Sequence, residues 1–247
     1  MEIVDQYYEH IINIFQDIHN TQASNIKKAA LKMSECILEG HTIFAFGASH
    51  AGILIQELFY RAGGLALINP IMLKEVQLDV RPITQTSKME RLSGYGSIIL
   101  EHTPIQSGDI LIIHSVSGRN TIAIDMALKA KEKGVYVIAL TNVTYSKKVQ
   151  SRHASRLKLL DIADIVLDNC GDYGDASMCI EGLQQKIAPT STIAGAFILN
   201  SLVIETVENL LNKGIEPPIF YSANIDHGDE QNQKIFETYQ KQIHYMG

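Results

Sequence analysis

The sequence predicts an α/β fold with a parallel β-sheet, and three observations support this prediction. Two continuous apolar runs, residues 110–114 and 135–140, flank a stretch with helical spacing at 121–133. Strands of a parallel sheet are buried on both faces, and the helix between two such strands forms the crossover. The chain has 247 residues, 46% of them hydrophobic, so it is long enough for one large domain with a well-buried core.

The first elements of this fold lie in the N-terminal part of the chain. Apolar residues recur at helical spacing over residues 1–40, and the pattern is broken near residue 20, so we expect two helices. A β-rich run at 42–46 predicts the first strand, and a loop and a helix ending at Gly63-Gly64 follow it. A second strand is expected at 65–69, where a proline ends it.

The segment from residue 71 to residue 106 is mixed in character. We expect residues 81–87 to form a loop and residues 88–102 to begin as a helix that Gly94 and Gly96 weaken. We interpret this segment as an insertion near the functional site.

A fifth strand is predicted at residues 165–167. The next stretch, 168–186, is rich in Gly, Asp and Asn and is expected to turn helical at its end. A helix from residue 188 to about residue 212 is apolar almost all round, which favours burial on several sides, subunit contact included. A polar closing helix is expected at 229–245. We therefore expect one domain with N-terminal helices at 1–40, a core at 41–213 and a C-terminal extension at 214–247.

Composition and charge exclude several classes of function. The formal net charge is -6, and no basic run with interleaved aromatic residues is present, which argues against nucleic-acid binding. The N-terminus lacks the form of a signal peptide, and the most apolar stretches are shorter than the ~20 residues of a membrane span, so we expect a soluble cytoplasmic protein. Cys36, Cys170 and Cys179 have no metal-ligand spacing, and no dinucleotide fingerprint is present. We expect neither a metal nor a cofactor.

One loop predicts an anion site. Ser115-Val116-Ser117-Gly118-Arg119-Asn120 follows a buried strand and precedes a helix. The first turn of a helix leaves backbone N–H groups unpaired, and the serine hydroxyls add further donors for phosphate oxygens. The alternative is that these serines only cap the helix, although capping and ligand binding are compatible.

Three blocks occur in order at strand or helix ends: FGASH at 46–50, SVSGRN at 115–120 and PTST at 189–192. Together they resemble the sugar isomerase (SIS) family of phosphosugar-binding domains. Within that family the chain is most similar to phosphoheptose isomerases and to an uncharacterised bacterial group that carries their label. The resemblance implies a flavodoxin-like three-layer αβα sandwich with a five-stranded parallel sheet, assembled as a homodimer or homotetramer.

The resemblance also implies site residues. Ser49, Ser115, Ser117 and Asn120, with Gly118 in the turn, would bind phosphate, and Thr190, Ser191 and Thr192 would line the sugar. Arg119 and Asn120 depart from the small hydroxyl residues that many members carry here. Arg119 could therefore add a charged phosphate contact or block a standard sugar. The metal-ligand pattern of some phosphoheptose isomerases has no match in this chain.

Three residues are candidates for acid–base chemistry. Glu57 resembles the base of a Glu-Leu-x-x-Arg segment, but it could equally be a solvated residue paired with Arg61. His50 adjoins Ser49 and could donate a proton to a sugar oxygen, with a surface loop histidine as the alternative. Glu90 opens a charged and aromatic stretch that could shape a sugar pocket, and its alternative is a solvated charge.

These observations favour an enzyme that acts on a phosphorylated sugar by removing a proton beside a carbonyl. An aldose–ketose isomerase and a related lyase or deaminase both fit this description. The alternative is a phosphosugar sensor without chemistry that reports through its oligomer interface.

Overall fold

The computed structural model describes residues 2–246 and confirms the predicted fold class. Its centre is a five-stranded parallel sheet with the order β2-β1-β3-β4-β5, which is the flavodoxin-like order. The strands are β1 (Ile43–Gly47), β2 (Ile68–Ile71), β3 (Ile110–His114), β4 (Tyr136–Thr141) and β5 (Ile165–Asp168).

Helices cover both faces of the sheet and produce two hydrophobic cores. The helices are α1 (Ile3–Leu38), α2 (Ala51–Leu58), α3 (Thr84–Met89), α4 (Tyr95–Glu101), α5 (Thr121–Glu132), α6 (Val143–Lys148), α7 (Leu159–Ile162), α8 (Ser191–Asn212) and α9 (Gly228–Thr238). Alternate residues of β3 point to opposite faces: Ile110 and Ile112 pack with α1, α2 and α8, whereas Leu111 and Ile113 pack with α4 and α5. The central strands are therefore apolar throughout because both of their faces are buried.

The expectation of two N-terminal helices is wrong, because α1 is one helix of 36 residues. Near the predicted break, the Thr21 hydroxyl donates to the Asp17 carbonyl oxygen at 2.7 Å within the same helix. Ile18 and Gln22 are buried, and the Gln22 side chain accepts from the Asp168 backbone N–H at 3.1 Å. Packing on α8 and β5 therefore outweighs the weak local preference against helix.

The first β-α-β unit differs from its prediction in its boundaries. Helix α2 ends at Leu58, before the two glycines, because Phe59 has an extended backbone. Strand β2 lies at Ile68–Ile71 and includes Pro70. The missing N–H of a proline is tolerated there because β2 is an edge strand of the sheet.

Two further expectations are wrong. Residues expected to be a loop contain α3, which starts two residues after Pro82, and the Pro82 carbonyl accepts from the Gln85 N–H at 3.0 Å. The stretch expected to turn helical before residue 186 instead enters a two-stranded antiparallel hairpin of β6 (Ala176–Met178) and β7 (Ile187–Pro189). The Ser177 hydroxyl donates across this hairpin to the Ala188 carbonyl oxygen at 2.8 Å.

The C-terminal region contains two helices of different character. The predicted α8 is confirmed and packs against α1 and α2. It is long and apolar enough to cross a membrane by length and composition, and 44% of its most apolar window is buried in the protein. Helix α9 ends at Thr238 rather than at residue 245, because the following segment binds the sheet edge: the His244 N–H donates to the Asn69 side chain at 2.7 Å.

Candidate functional site

The sheet topology places a crevice between β1 and β3. The chain leaves β1 toward β2 on one side, and the other half of the sheet begins with β3, so the loops after β1 and β3 diverge. In sheets of this kind ligands bind at the carboxyl ends of the strands where the order reverses. Both serine-containing loops follow these two strands, at residues 48–50 and 115–120.

Gly47 allows the first loop to turn sharply into α2. A Cβ atom at this position would lie 2.5 Å from the Ala51 carbonyl oxygen, closer than real Cβ contacts occur. The next turn residue, Ser49, has a positive φ of 52°, and its N–H donates to the Val76 carbonyl oxygen at 2.7 Å. The glycine therefore brings the Ser49 hydroxyl to the crevice by permitting close backbone contact.

A cleft of about 290 Å³ occupies this crevice and brings together half of the predicted site residues. The predicted residues that line it are Ser49, His50, Glu90, Ser115, Ser117 and Asn120. It is also lined by His114, Tyr145 and Asp175. Polar groups from five separate segments thus surround one small space.

Glu90 joins the two loops. Its carboxylate accepts a hydrogen bond from the Ser49 hydroxyl and another from the Asn120 amide at 2.5 Å. Its backbone carbonyl accepts from the Ile122 N–H in the first turn of α5 at 3.1 Å. The insertion between β2 and β3 therefore contributes a fixed carboxylate to the cleft, as its sequence position suggested.

His114 contributes a neutral imidazole to the cleft. Its side chain is buried, and its Nδ1 lies 3.0 Å from the Ala51 carbonyl oxygen, so Nδ1 carries the proton. Its buried Nε2 has no hydrogen-bond partner in residues 2–246. Burial lowers the pKa of this histidine, and the Ala51 hydrogen bond and the Asp175 charge offset only part of that effect. Nε2 is therefore an unused acceptor at the cleft wall.

Asp175 connects the start of α8 with the cleft. The Asp175 carboxylate accepts from the Thr190 and Ser191 N–H groups at 3.1 and 2.7 Å, and from the Ser191 hydroxyl at 2.7 Å. The predicted sugar-lining residues Thr190, Ser191 and Thr192 do not line the cleft themselves. Thr190 and Ser191 instead hold Asp175, which does line the cleft, and because these partners lie 15 and 16 positions apart, no local pattern indicated the contact.

Glu57 is not brought to the site. It lies about 10 Å along α2 from the loop, at ~1.5 Å per residue. Its carboxylate accepts from the Arg61 guanidinium and, at 3.5 Å, from the Asn200 amide. The structure therefore supports the alternative of an exposed i, i+4 ion pair rather than a base in the cleft.

The turn at residues 118 and 119 lies beside the cleft rather than in it. Gly118 is buried with a φ of 60°, and a Cβ there would lie 3.2 Å from the Thr141 hydroxyl. Arg119 does not line the cleft, and its buried Nε has no partner in residues 2–246. Asn120 links the two regions, because its side-chain oxygen accepts from Arg152 Nη1 at 2.7 Å. Across the described part of the chain, no three His, Cys, Asp or Glu side chains converge as metal ligands.

The flavodoxin-like sheet with a hydroxyl-lined cleft at its switch point defines a protein of the α/β class. The family model described as "SIS domain" matches residues 6–142, which is more than half of the chain. The chain is 52% identical over 246 residues to the UPF0309 protein of Shouchella clausii and 51% identical to that of Oceanobacillus iheyensis, and each comparison covers both chains fully. The chain therefore belongs to the SIS domain family and, within it, to the UPF0309 family.

Solved structures are similar at the level of the fold. A phosphoheptose isomerase from Francisella tularensis matches with a TM-score of 0.55 and 16% identity over 83% of this chain and 96% of that chain. The Vibrio vulnificus NanR protein complexed with ManNAc-6P matches with a TM-score of 0.51 and 16% identity over 97% of this chain and 69% of that chain. These matches confirm the α/β architecture.

Proposed function

We propose that the protein binds a phosphorylated sugar in the 290 Å³ cleft and removes a proton from the carbon beside its carbonyl. The observation that carries this proposal is the convergence of Ser49, Ser115, Ser117 and Asn120 with one carboxylate, Glu90, in a single cleft. Hydroxyls and an amide at the start of α5 suit a phosphate group. A carboxylate next to them suits proton transfer from the sugar held by that phosphate.

Each cleft residue has its own role in the proposed reaction. The phosphate anchors the open-chain sugar at the loop hydroxyls, and Glu90 takes the proton from the carbon and returns it to the neighbouring carbon. His50, exposed at the cleft, exchanges the hydroxyl proton. Aldose–ketose isomerisation needs these steps only, whereas a lyase or deaminase would add loss of a neighbouring group.

The comparisons support the sugar phosphate as the ligand class. Phosphoheptose isomerases and a protein bound to ManNAc-6P share this fold. Because one similar structure is a complex with ManNAc-6P, the competing function is a binding module without chemistry. It predicts ligand binding with no proton exchange.

A thermal-shift screen tests the phosphate part of the proposal. A panel of sugar phosphates is compared with the same sugars lacking phosphate. A ligand at 100 times its Kd stabilises the native state by about 2.7 kcal/mol, which raises the midpoint of a protein of this size by about 5 to 10 °C. We expect this shift with a phosphorylated sugar, its loss in Ser117→Ala, and its retention in Ser24→Ala, a matched change on the exposed surface of α1. The absence of any phosphate-dependent shift would refute the proposal.

Deuterium exchange tests the chemical part. The sugar phosphate that binds is incubated in D2O with the protein, and incorporation at carbon is measured by NMR. We expect exchange with the wild type and none with Glu90→Gln, while Glu90→Gln keeps its thermal shift. A wild type that binds the ligand but exchanges no proton would make the protein a binding module.

A further inference from the structure

Two arginines, Arg119 and Arg152, lie beside the cleft, and a third, Arg91, directly follows the cleft residue Glu90 in the chain. Arg119 and Arg152 are in direct contact, because the Arg152 N–H donates to the Arg119 carbonyl oxygen at 3.0 Å. The Arg152 guanidinium donates to Asn120, whose amide donates to Glu90, and Arg91 is the next residue in the chain. We call Arg91, Arg119 and Arg152 the arginine cluster.

Within residues 2–246, the arginine cluster has no counter-ion. None of its three guanidinium groups forms an ion pair with a carboxylate of residues 2–246 within 4 Å. The nearby carboxylates are engaged elsewhere: Glu90 accepts from Ser49 and Asn120, and Asp125 accepts from His153 and from the Gly94 N–H. The buried Nε of Arg119 also lacks a partner there.

The like charges of these three arginines repel one another. Partial burial and the positive charges of Arg119 and Arg91 lower the pKa of Arg152. This concentration of positive charge occurs in a protein whose formal net charge is -6. A bound anion would offset the repulsion through charge-assisted hydrogen bonds with the guanidinium groups.

The anion in question is distinct from the anchoring phosphate. None of the three arginines lines the cleft, whereas Asn120 lines it and contacts Arg152 from the other side. On the basis of the proposed function, we propose that the sugar phosphate carries a second anionic group, a carboxylate or a second phosphate, that binds the arginine cluster. The substrate class is therefore a doubly anionic sugar, with its first phosphate at Ser115 and Ser117.

Three compounds with a common hexose 6-phosphate frame test this proposal. Fructose 6-phosphate has one anionic group, 6-phosphogluconate adds a carboxylate, and fructose 1,6-bisphosphate adds a phosphate. Their Kd values are measured by titration calorimetry, with inorganic phosphate as the reference anion. We expect at least one doubly anionic sugar to bind about tenfold tighter than fructose 6-phosphate, which corresponds to about 1.4 kcal/mol. Which of the two binds tighter identifies the second group.

Variants test whether the gain in affinity for doubly anionic sugars comes from the arginine cluster. Arg152→Gln should remove the tenfold difference, so that the doubly anionic sugars bind this variant no tighter than fructose 6-phosphate does. Arg156→Gln makes the same change of charge at an exposed position outside the cluster and should keep the difference. Arg152→Lys keeps the positive charge but lacks the planar guanidinium group. It serves to distinguish a loss of binding from a loss of folding.

Two failures are distinguishable. If fructose 6-phosphate or inorganic phosphate binds but the doubly anionic sugars gain less than twofold, or keep their gain in Arg152→Gln, the second site is refuted and the phosphate cleft stands. If no compound binds, inorganic phosphate included, the proposed function is refuted and the second site with it.

Discussion

The neutral state of His114 predicts how the stability of the protein depends on pH. His114 has 2% of its surface exposed, its Nδ1 donates to the Ala51 carbonyl oxygen, and its Nε2 has no partner in residues 2–246. Burial holds its pKa below the ordinary value, with partial compensation by the Ala51 hydrogen bond and the Asp175 charge. The folded protein therefore resists protonation at this position.

The sign and size of the effect follow from proton linkage. A histidine in the unfolded chain has a pKa of about 6.5, so the unfolded state takes up a proton as the pH falls below that value. The folded state does not, and the free energy of unfolding therefore decreases with falling pH. Between pH 7.0 and 5.5 the loss from His114 is up to about 1 kcal/mol. Above pH 7 its contribution is constant.

Urea unfolding at half-unit steps from pH 5.5 to 7.5 measures this contribution as a difference between proteins. Wild type is compared with His114→Gln and with His19→Gln, which removes an exposed histidine of α1. We expect His114→Gln to be less stable overall but to lose about 1 kcal/mol less than the wild type over this pH range. His19→Gln should follow the wild type. Parallel pH profiles for wild type and His114→Gln would refute the reasoning, because they would show that folding does not lower the pKa of the buried imidazole.

Two further predictions concern the loops that form the cleft. Gly47→Ala should destabilise the protein by about 3 kcal/mol or more in urea unfolding, because its Cβ would lie 2.5 Å from the Ala51 backbone. Gly40→Ala places its Cβ in open space at a φ of 79° and should cost about 1 to 2 kcal/mol. Equal costs for the two variants would contradict the steric argument. Asp175→Ala should cost about 2 kcal/mol because the Ser191 N–H and hydroxyl lose their acceptor. The exposed change Asp226→Ala should cost less than about 0.5 kcal/mol by the same measurement, and a similar cost for both would show that Asp175 does not hold α8.

The sheet was predictable because each strand carries its own signal. Strands buried on both faces read as continuous apolar runs, and β3 and β4 do so without alternation. The single α1 was not predictable in this way. Its continuity across residue 20 depends on partners far along the chain, Asp168 among them, which no local pattern shows.

The site shows the same division between local and distant information. Ser115 and Ser117 were predictable because a loop after a buried strand must lie at the carboxyl edge of the sheet. The contact of Glu90 with Ser49 joins residues 41 apart, and only the packing of the insertion brings them together. Glu57 shows the opposite case: its spacing from Arg61 was a local signal for an ion pair, and the ion pair is what the structure contains.

The contacts of Glu90 connect phosphate binding with proton transfer. Its carboxylate accepts hydrogen bonds from Ser49 and Asn120, two of the residues that the proposed function assigns to the phosphate. A phosphate is also an acceptor, so it competes with the carboxylate for the same two donors. Under the proposed function, arrival of the phosphate takes these donors and leaves the Glu90 oxygens available to the sugar. The base is then released only when the phosphate is bound, which restricts proton abstraction to anchored substrates.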